Sequence, residues 1–392
     1  MPLPVTEDTT VSSYWLNWRV LLCSIWLLSI MAISSFIIWK YESLDNLRSD
    51  EGETRQDAAQ FLCNDDAWRP CLKEIHPFWL LVFRVIAFCF LLATLIVRIL
   101  SSESRIFYFY TQWTFVLVTF YFGFGSLLSI YGCYQYHKIS SRNLNVQHGE
   151  TDAEQGNFMP LTNGENANKH EMRNVLNTQE KSSPAIISCL FQVVYQMNAG
   201  AVILTDCIYW LIIFPFLTAS DYKLSFGKTK KPIMVFFPCF ITPGYHQLIV
   251  ARLFGICTYS RYVASILRHP LRHIGMTSWL NAQSEMTVNM HTLNAVFLLG
   301  DTALNCLRFP WFRMAYFCLW TCVFVIFQWI LHVVVSVWWP YPFLELSSSI
   351  APLWYLGVGL MHIPCYAIFV LVVKTKHYLF SRWFPQSYLC SR

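Results

Sequence analysis

A polar stripe runs along one otherwise apolar stretch, residues 286–306. Its members with useful chemistry are His291, Asn294 and Asp301, and the stripe continues to Asn305. At about 100° per residue these side chains share one helical face. Ionisable groups inside a membrane normally face a protein interior or a watery cavity, where they take part in function. The stripe therefore predicts either a site for proton transfer at His291 or a hydrogen-bonded seam that only holds helices together.

Counting residues from the predicted helix ends indicates a hydroxyl partner for this imidazole, because each helical residue advances about 1.5 Å along the helix axis. Thr111 lies five residues into the third apolar segment, and His291 lies five residues into the fifth. His332 lies seven residues before Trp339, the predicted end of the sixth segment. The three side chains are thus expected in one layer. A hydroxyl beside an imidazole is the minimum for nucleophilic catalysis, although a lone threonine in a membrane helix often bonds its own backbone.

Two aspartates complete the set of candidate residues. Asp206, on the fourth segment, lies slightly deeper than the layer and is a candidate to orient a histidine, with a purely structural contact as the alternative. Asp301 lies about 15 Å below His291 on the same helix, so the two cannot bond directly. We take Thr111 and His291 as the candidate catalytic pair. The candidate supporting residues are His332, Asp206, Asn294 and Asp301.

The composition indicates a membrane protein. Of 392 residues, 55% are hydrophobic and 13% are charged, and the mean hydropathy is +0.40, whereas about a quarter of residues are charged in soluble domains. The basic residues flank apolar segments instead of clustering, so the net charge of +5 indicates no nucleic-acid partner. The fourteen cysteines form no zinc or redox pattern. We therefore expect no metal and no other cofactor.

Seven apolar segments are long enough to cross a bilayer, which predicts an all-α polytopic helical bundle. They are residues 18–39, 78–100, 106–133, 186–217, 286–306, 314–339 and 350–373. With residues 227–285 set aside, one side of the membrane holds sixteen Lys and Arg and the other holds two. This asymmetry predicts a cytosolic C-terminal tail. Thiols such as Cys71 and Cys63 on that side are expected to stay reduced. Trp338 and Trp339 are expected to anchor the outer end of the sixth helix.

The chain divides into five regions. They are residues 1–77 with the first helix and an acidic loop, core helices at 78–226, an aberrant stretch at 227–285, further core helices at 286–375, and a tail at 376–392. The polar, aromatic-poor loop 143–183 is predicted to be disordered. The stretch 227–285 contains four prolines and apolar runs too short to span a bilayer. It is either interfacial structure or an insert outside the native core.

Several short motifs occur in a characteristic order. They are Tyr110-Thr-Gln-Trp-Thr114 followed by Gly123, Tyr209-Trp210, Asn289-Met-His-Thr292 followed by Asp301, and Tyr341-Pro-Phe-Leu-Glu345. Their order and spacing resemble the androgen-induced, FAR-17a-like membrane proteins and their rolling stone relatives, with uncharacterised plant members the most similar. The resemblance covers about residues 80–375 except 227–285, and it implies that this unmatched stretch is a retained intron or a gene-model error.

The resemblance also implies an activity. The androgen-induced branch hydrolyses fatty acid esters of hydroxy fatty acids with an intramembrane threonine and a histidine, and these positions fall on Thr111 and His291. Membrane lipids and a lipid ester are then the expected partners, and the oligomeric state stays open. The first helix is an addition to the family pattern, and the register of His332 differs by one residue. The alternative is a non-enzymatic protein for transport, adhesion or scaffolding. A transport path would be lined by Asp206, Asn294, Asp301 and His362.

Overall fold

A computed structural model describes residues 8–50, 67–102, 107–151, 167–211 and 276–390. Within these ranges the chain forms helices and no β-strand, only two isolated bridges. Seven long helices follow a one-turn helix at Ser12–Trp15. They are α1 (Trp18–Asp50), α2 (Pro77–Ser102), α3 (Tyr110–Thr151), α4 (Ala167–Cys207), α5 (Met276–Leu304), α6 (Met314–Val334) and α7 (Ala351–Trp383). The predicted all-α bundle is confirmed.

Six of these helices contain a stretch long and apolar enough to cross a membrane. The stretches are Trp18–Glu42, Pro77–Leu100, Tyr110–Lys138, Ile186–Leu211, Trp311–Val334 and Ala351–Trp383. The chain is accordingly a multi-pass membrane protein. The remaining long helix is α5, which carries the polar stripe and lies within the bundle against α2, α3 and α4.

The helices pack in two groups that meet at α4. One group consists of α2, α3 and α5, and the other consists of α1, α6 and α7. Helix α4 contacts α3 and α5 on one side and α6 and α7 on the other. A close approach between α4 and α6 requires Gly200, because a Cβ atom there would overlap the ring of Phe317. Each group encloses its own buried apolar cluster.

Helix α6 ends earlier than its apolar run predicts. The last helical residue is Val334, and the segment that follows is extended. Trp338 remains 51% exposed, whereas Trp339 is only 8% exposed and stacks on His332 with ring centroids 3.6 Å apart. Trp339 is therefore buried against the bundle instead of marking the outer end of α6. The stacking removes its indole from the surroundings that an interfacial anchor needs.

The C-terminal tail folds back onto the opposite end of the bundle. Leu389 donates its backbone N–H to the Cys71 carbonyl at 2.9 Å. A disulfide joins Cys306, just after α5, to Cys390. Cys71 itself is a free, buried thiol, and burial raises its pKa. Cys63 lies outside the described residues.

Two predicted regions are only partly described. In the loop 143–183, α3 continues to Thr151 and α4 begins at Ala167, so both flanks of the segment predicted to be disordered are helical. Glu, Gln, Lys and Met in these flanks are favourable helix formers. Residues 212–275 lie outside the described residues, and they include most of the unmatched stretch 227–285. Helix α5 begins at Met276, within the last part of that stretch.

Candidate functional site

The site is built around a carboxylate–imidazole pair between α4 and α5, in which the imidazole is buried and the carboxylate is partly buried. The Nδ1 atom of His291 lies 2.9 Å from Oδ1 of Asp206, with side-chain exposures of 1% and 19%. The ring of Tyr209 stacks on the imidazole, with centroids 4.0 Å apart and an interplanar angle of 13°. Tyr209 belongs to a π-helical turn, residues 208–211, that follows α4, and such turns are frequent at functional sites. A carboxylate and a stacked ring thus hold this imidazole in one orientation.

The position of the ring proton follows from this contact. When Asp206 is ionised it can only accept hydrogen bonds, so Nδ1 of His291 then carries a proton and donates a hydrogen bond to the carboxylate. In the neutral imidazole the other nitrogen, Nε2, then carries the lone pair. This is the arrangement of a general base whose tautomer is fixed by a carboxylate. The sequence named Asp206 as a residue that could orient a histidine, and the structure places it on His291.

Thr111 is the second residue of α3, and its side chain lies beside Tyr341. Burial raises the pKa of Tyr341, and the nearby Thr111 opposes that shift. The Tyr341 hydroxyl also accepts the backbone N–H of Tyr110 at 3.1 Å. Among the described residues no hydrogen bond joins Thr111 to His291. The proposed nucleophile thus lies beside the segment between α6 and α7 in this structure.

The neighbours of these two residues touch one another. The side-chain amide of Gln112 lies 3.7 Å from the Met290 sulfur. Helices α3 and α5 are therefore level at residues 112 and 290, next to Thr111 and His291. The structure brings the two candidates to one height of the bundle, as the depth count expects, with different immediate partners.

Below this layer lie polar atoms without partners. Asn294, one turn from His291 on α5, is 1% exposed, and neither its Oδ1 nor its Nδ2 atom has a hydrogen-bond partner. The same holds for Oε1 of Gln112 and the hydroxyl of Thr114 on α3. Leaving a buried polar group unpaired costs about 1–3 kcal/mol. Such groups beside a fixed imidazole are suited to binding the polar part of a ligand.

His332 occupies a separate position near the end of α6. Its Nδ1 atom lies 2.7 Å from the Gln328 carbonyl, one turn back in the same helix. The Gln328 side chain in turn donates to the Tyr108 carbonyl at 2.9 Å, so His332 is at the same end of the bundle as Thr111. Its ring stacks on Trp339. No described hydrogen bond links it to His291, and its contacts support the loop that follows α6.

Asp301 belongs to a different polar centre, deeper along α5. It accepts hydrogen bonds from Arg84 at 2.7 Å, from the hydroxyl of Tyr121 and from Asn305 at 2.8 Å. Both members of the Arg84–Asp301 pair have fully buried side chains. Lys376 on α7 donates to the Asn305 carbonyl at 2.6 Å near the C-terminal end of α5, where a cation is favourable. This centre ties helices together and does not contact His291.

Sequence reasoning missed a second pairing of hydroxyl and imidazole. His362 Nε2 lies 2.8 Å from the Thr321 hydroxyl, and the Tyr110 hydroxyl lies 2.9 Å from the same oxygen. From the sequence, His362 was expected only as a lining residue of a transport path. Counted from the observed helix ends, the two residues lie at similar depth: Thr321 lies thirteen residues before the end of α6 at Val334, and His362 lies eleven residues after the start of α7 at Ala351.

In the part of the chain that the structure describes, no three His, Cys, Asp or Glu side chains come together as a metal site. No protein-family model, curated protein or solved structure matches the chain.

Proposed function

We propose that the protein is an intramembrane hydrolase of lipid esters, such as fatty acid esters of hydroxy fatty acids, with Thr111 as nucleophile and His291 as general base. The observation that carries this proposal is the buried contact between Asp206 and His291. Ion pairs and imidazoles are costly in a membrane interior. A pair held at 2.9 Å, stacked by Tyr209 and placed beside unpartnered polar groups is the arrangement that general-base catalysis requires.

The reaction proceeds through an acyl-threonine. The Thr111 oxygen attacks the ester carbonyl carbon while its proton passes to Nε2 of His291. The carbon–oxygen bond to the alcohol then breaks, and the departing oxygen takes that proton. Water attacks the acyl-threonine with His291 again accepting the proton. The fatty acid leaves, and the proton returns to the Thr111 oxygen.

Asn294 is the donor that we assign to the carbonyl oxygen. Its amide is buried and unpartnered, one turn from His291. A donor that is already desolvated in the resting protein stabilises the developing negative charge without further reorganisation. Substrate binding would satisfy the amide, which removes the cost of leaving it unpaired.

Catalysis requires the Thr111 hydroxyl to meet His291. In the resting protein the Thr111 side chain lies beside Tyr341, and among the described residues it forms no hydrogen bond with His291. Catalytic hydrogen bonds frequently form only in the complex with substrate. We expect the ester to displace Tyr341 as it enters the space between α3 and α5.

The surroundings are consistent with an apolar substrate arriving from the membrane. Phe107, just before α3, is 41% exposed, and the Trp113 ring lies among aromatic residues of α6. We propose in addition that the C-terminal tail faces the cytosol, which protease access to a tag after Arg392 in sealed vesicles would test.

A transport function has less support, because the residues expected to line a path lie in three separate polar centres. Asp206 and Asn294 belong to the first, Asp301 to the second and His362 to the third.

The test is turnover by purified protein in lipid nanodiscs. A panel of lipid esters is offered to the wild type and to Thr111→Val and His291→Gln. Each substitution is expected to lower kcat by about 10²-fold to 10⁴-fold. Thr119→Val is the matched control, because Thr119 lies on the same helix and its hydroxyl bonds only the Phe115 carbonyl one turn back, at 2.8 Å. Full turnover by Thr111→Val, or no turnover of any ester by the wild type, would overturn the proposal.

A further inference from the structure

A partly open cavity lies between α1, α6 and α7, away from Asp206 and His291. Its volume is about 50 Å³, which suits the end of one alkyl chain better than a fused-ring lipid. Its hydroxyl and imidazole groups belong to Thr321, Tyr355 and His362, and the Tyr355 hydroxyl already accepts the Trp329 indole N–H and donates to the Leu344 carbonyl. Apolar and aromatic residues of the three helices and of the segment before α7 form the rest of the wall, among them Trp26, Ile30, Val325, Phe343 and Gly359.

The proton positions in this cavity are fixed by an acceptor at one end. Nδ1 of His362 lies 2.8 Å from the Val358 carbonyl, which can only accept, so Nδ1 carries the proton. In the neutral ring Nε2 is then an acceptor, and the Thr321 hydroxyl at 2.8 Å must donate to it. The Tyr110 hydroxyl at 2.9 Å therefore donates to the Thr321 oxygen. The hydrogen bonds run in one direction, from Tyr110 through Thr321 to His362.

Thr321 differs in this respect from other buried threonines of the bundle. Thr119 and Thr302 donate to the carbonyl one turn back at 2.8 Å and 2.6 Å, the usual behaviour of threonine in a helix. The corresponding distance from Thr321 to the Phe317 carbonyl is 3.3 Å, longer than its distance to His362. Its single proton is thus directed at an imidazole lone pair, and its side chain is 9% exposed in a cavity.

We propose that Thr321 and His362 form a second nucleophile–base pair, which takes the acyl group of a single-chain lipid ester bound between α1, α6 and α7. The Thr321 oxygen attacks the ester carbonyl carbon, and its proton passes to Nε2 of His362. The bond to the alcohol oxygen breaks, and that oxygen takes the proton. Water then attacks the acyl-threonine, the fatty acid leaves, and the proton returns to the Thr321 oxygen. The Tyr110 hydroxyl lies 2.9 Å from the Thr321 oxygen that attacks the ester and donates a hydrogen bond to it.

The pair shares no side chain with Thr111, His291 or Asp206, so it can be tested separately from the proposed function. The probe is a long-chain alkyl fluorophosphonate, whose phosphorus–fluorine bond breaks as a threonine oxygen bonds to phosphorus. The full chain in nanodiscs is labelled, digested and mapped by mass spectrometry. We expect an adduct on Thr321 that is absent in Thr321→Val, retained in Thr321→Ser, and formed about 10²-fold more slowly in His362→Gln.

A pair of glycines on α7 tests the cavity without altering its polar groups. Gly359 lines the cavity, and a Cβ atom there would lie 3.1 Å from the Ile30 side chain, whereas a Cβ at Gly357 would meet nothing within 4 Å. Gly359→Leu is expected to block labelling of Thr321, and Gly357→Leu to leave it unchanged. An adduct on Thr111 alone would overturn this inference and leave the proposed function standing. An adduct on Thr321 alone would support the inference and count against Thr111, and labelling of neither residue would overturn both.

Discussion

The Arg84 guanidinium and the Asp301 carboxylate are 217 residues apart in the chain, yet they meet at 2.7 Å with both side chains fully buried. The contact connects α2 to α5, and Tyr121 of α3 hydrogen-bonds the same carboxylate. A single ion pair thus joins three helices of one packing group.

Breaking this pair from one side should strongly destabilise the bundle. Asp301→Asn leaves the Arg84 charge without its counterion, and removing one member of a buried pair costs about 3–5 kcal/mol. The difference in the free energy of unfolding is measured in detergent by following the loss of the spectroscopic signal of tertiary structure. Arg382→Gln is the control, because this arginine is exposed near the end of α7, and its loss should change stability by less than about 0.5 kcal/mol. Equal stabilities of the two variants would contradict the prediction.

The orienting role of Asp206 predicts a kinetic result, given the proposed function. Asp206→Asn keeps the size of the side chain but removes the charge that fixes Nδ1–H of His291. We expect kcat for ester hydrolysis to fall by about 10²-fold to 10⁴-fold while KM changes little. A purely structural role would instead lower the amount of folded protein and leave kcat per folded molecule unchanged. Steady-state kinetics on protein normalised by active-site labelling distinguishes an orienting role of Asp206 from a purely structural one.

Two glycines should respond to alanine in opposite directions. Gly200→Ala places a methyl group where it overlaps the Phe317 ring, and overpacking of this kind costs about 1–3 kcal/mol. Gly357→Ala meets no atom within 4 Å, and alanine in a helix is favoured over glycine by about 0.5–1 kcal/mol. Thermal unfolding of the two variants beside the wild type gives the sign of each effect. A stabilised Gly200→Ala would show that α4 and α6 do not approach so closely.

The disulfide between Cys306 and Cys390 closes a long loop, with a sequence separation of 84. Its removal by Cys306→Ser or Cys390→Ser is expected to cost about 2–4 kcal/mol, and the double substitution should cost no more than either single one. Peptide mapping without reductant identifies the bond directly. Cys89→Ser, at an exposed free cysteine, is the control and should behave as the wild type. If reductant leaves wild-type stability unchanged, the bond does not form in the protein.

The helices could be predicted from the sequence because apolar runs have the length of a bilayer. The run 78–100 became α2, Pro77–Ser102, and the run 350–373 lies almost wholly inside α7, Ala351–Trp383. The end of α6 could not be predicted from hydropathy, because the apolar residues that follow Val334 continue as extended chain. Trp339 there is held by stacking on His332, a contact that depends on the path of the chain.

For the site, the sequence predicted only the depth of the residues in the membrane. Counting residues placed Thr111 and His291 at one height, but the rotation of each helix about its axis decides which side chains touch. In the structure, Asp206 bonds His291 and the Thr111 side chain lies beside Tyr341. The pairing of Thr321 with His362 was missed for a related reason, since the predicted end of α6 lay five residues too late and shifted every depth counted from it.

Tyr110 and Thr111 are consecutive in the chain, yet the hydroxyl of the first bonds Thr321 of α6 and the side chain of the second lies beside Tyr341. The opening turn of α3 therefore contributes one residue to each of the two proposed sites, so a change in the path of this turn would move a residue of both.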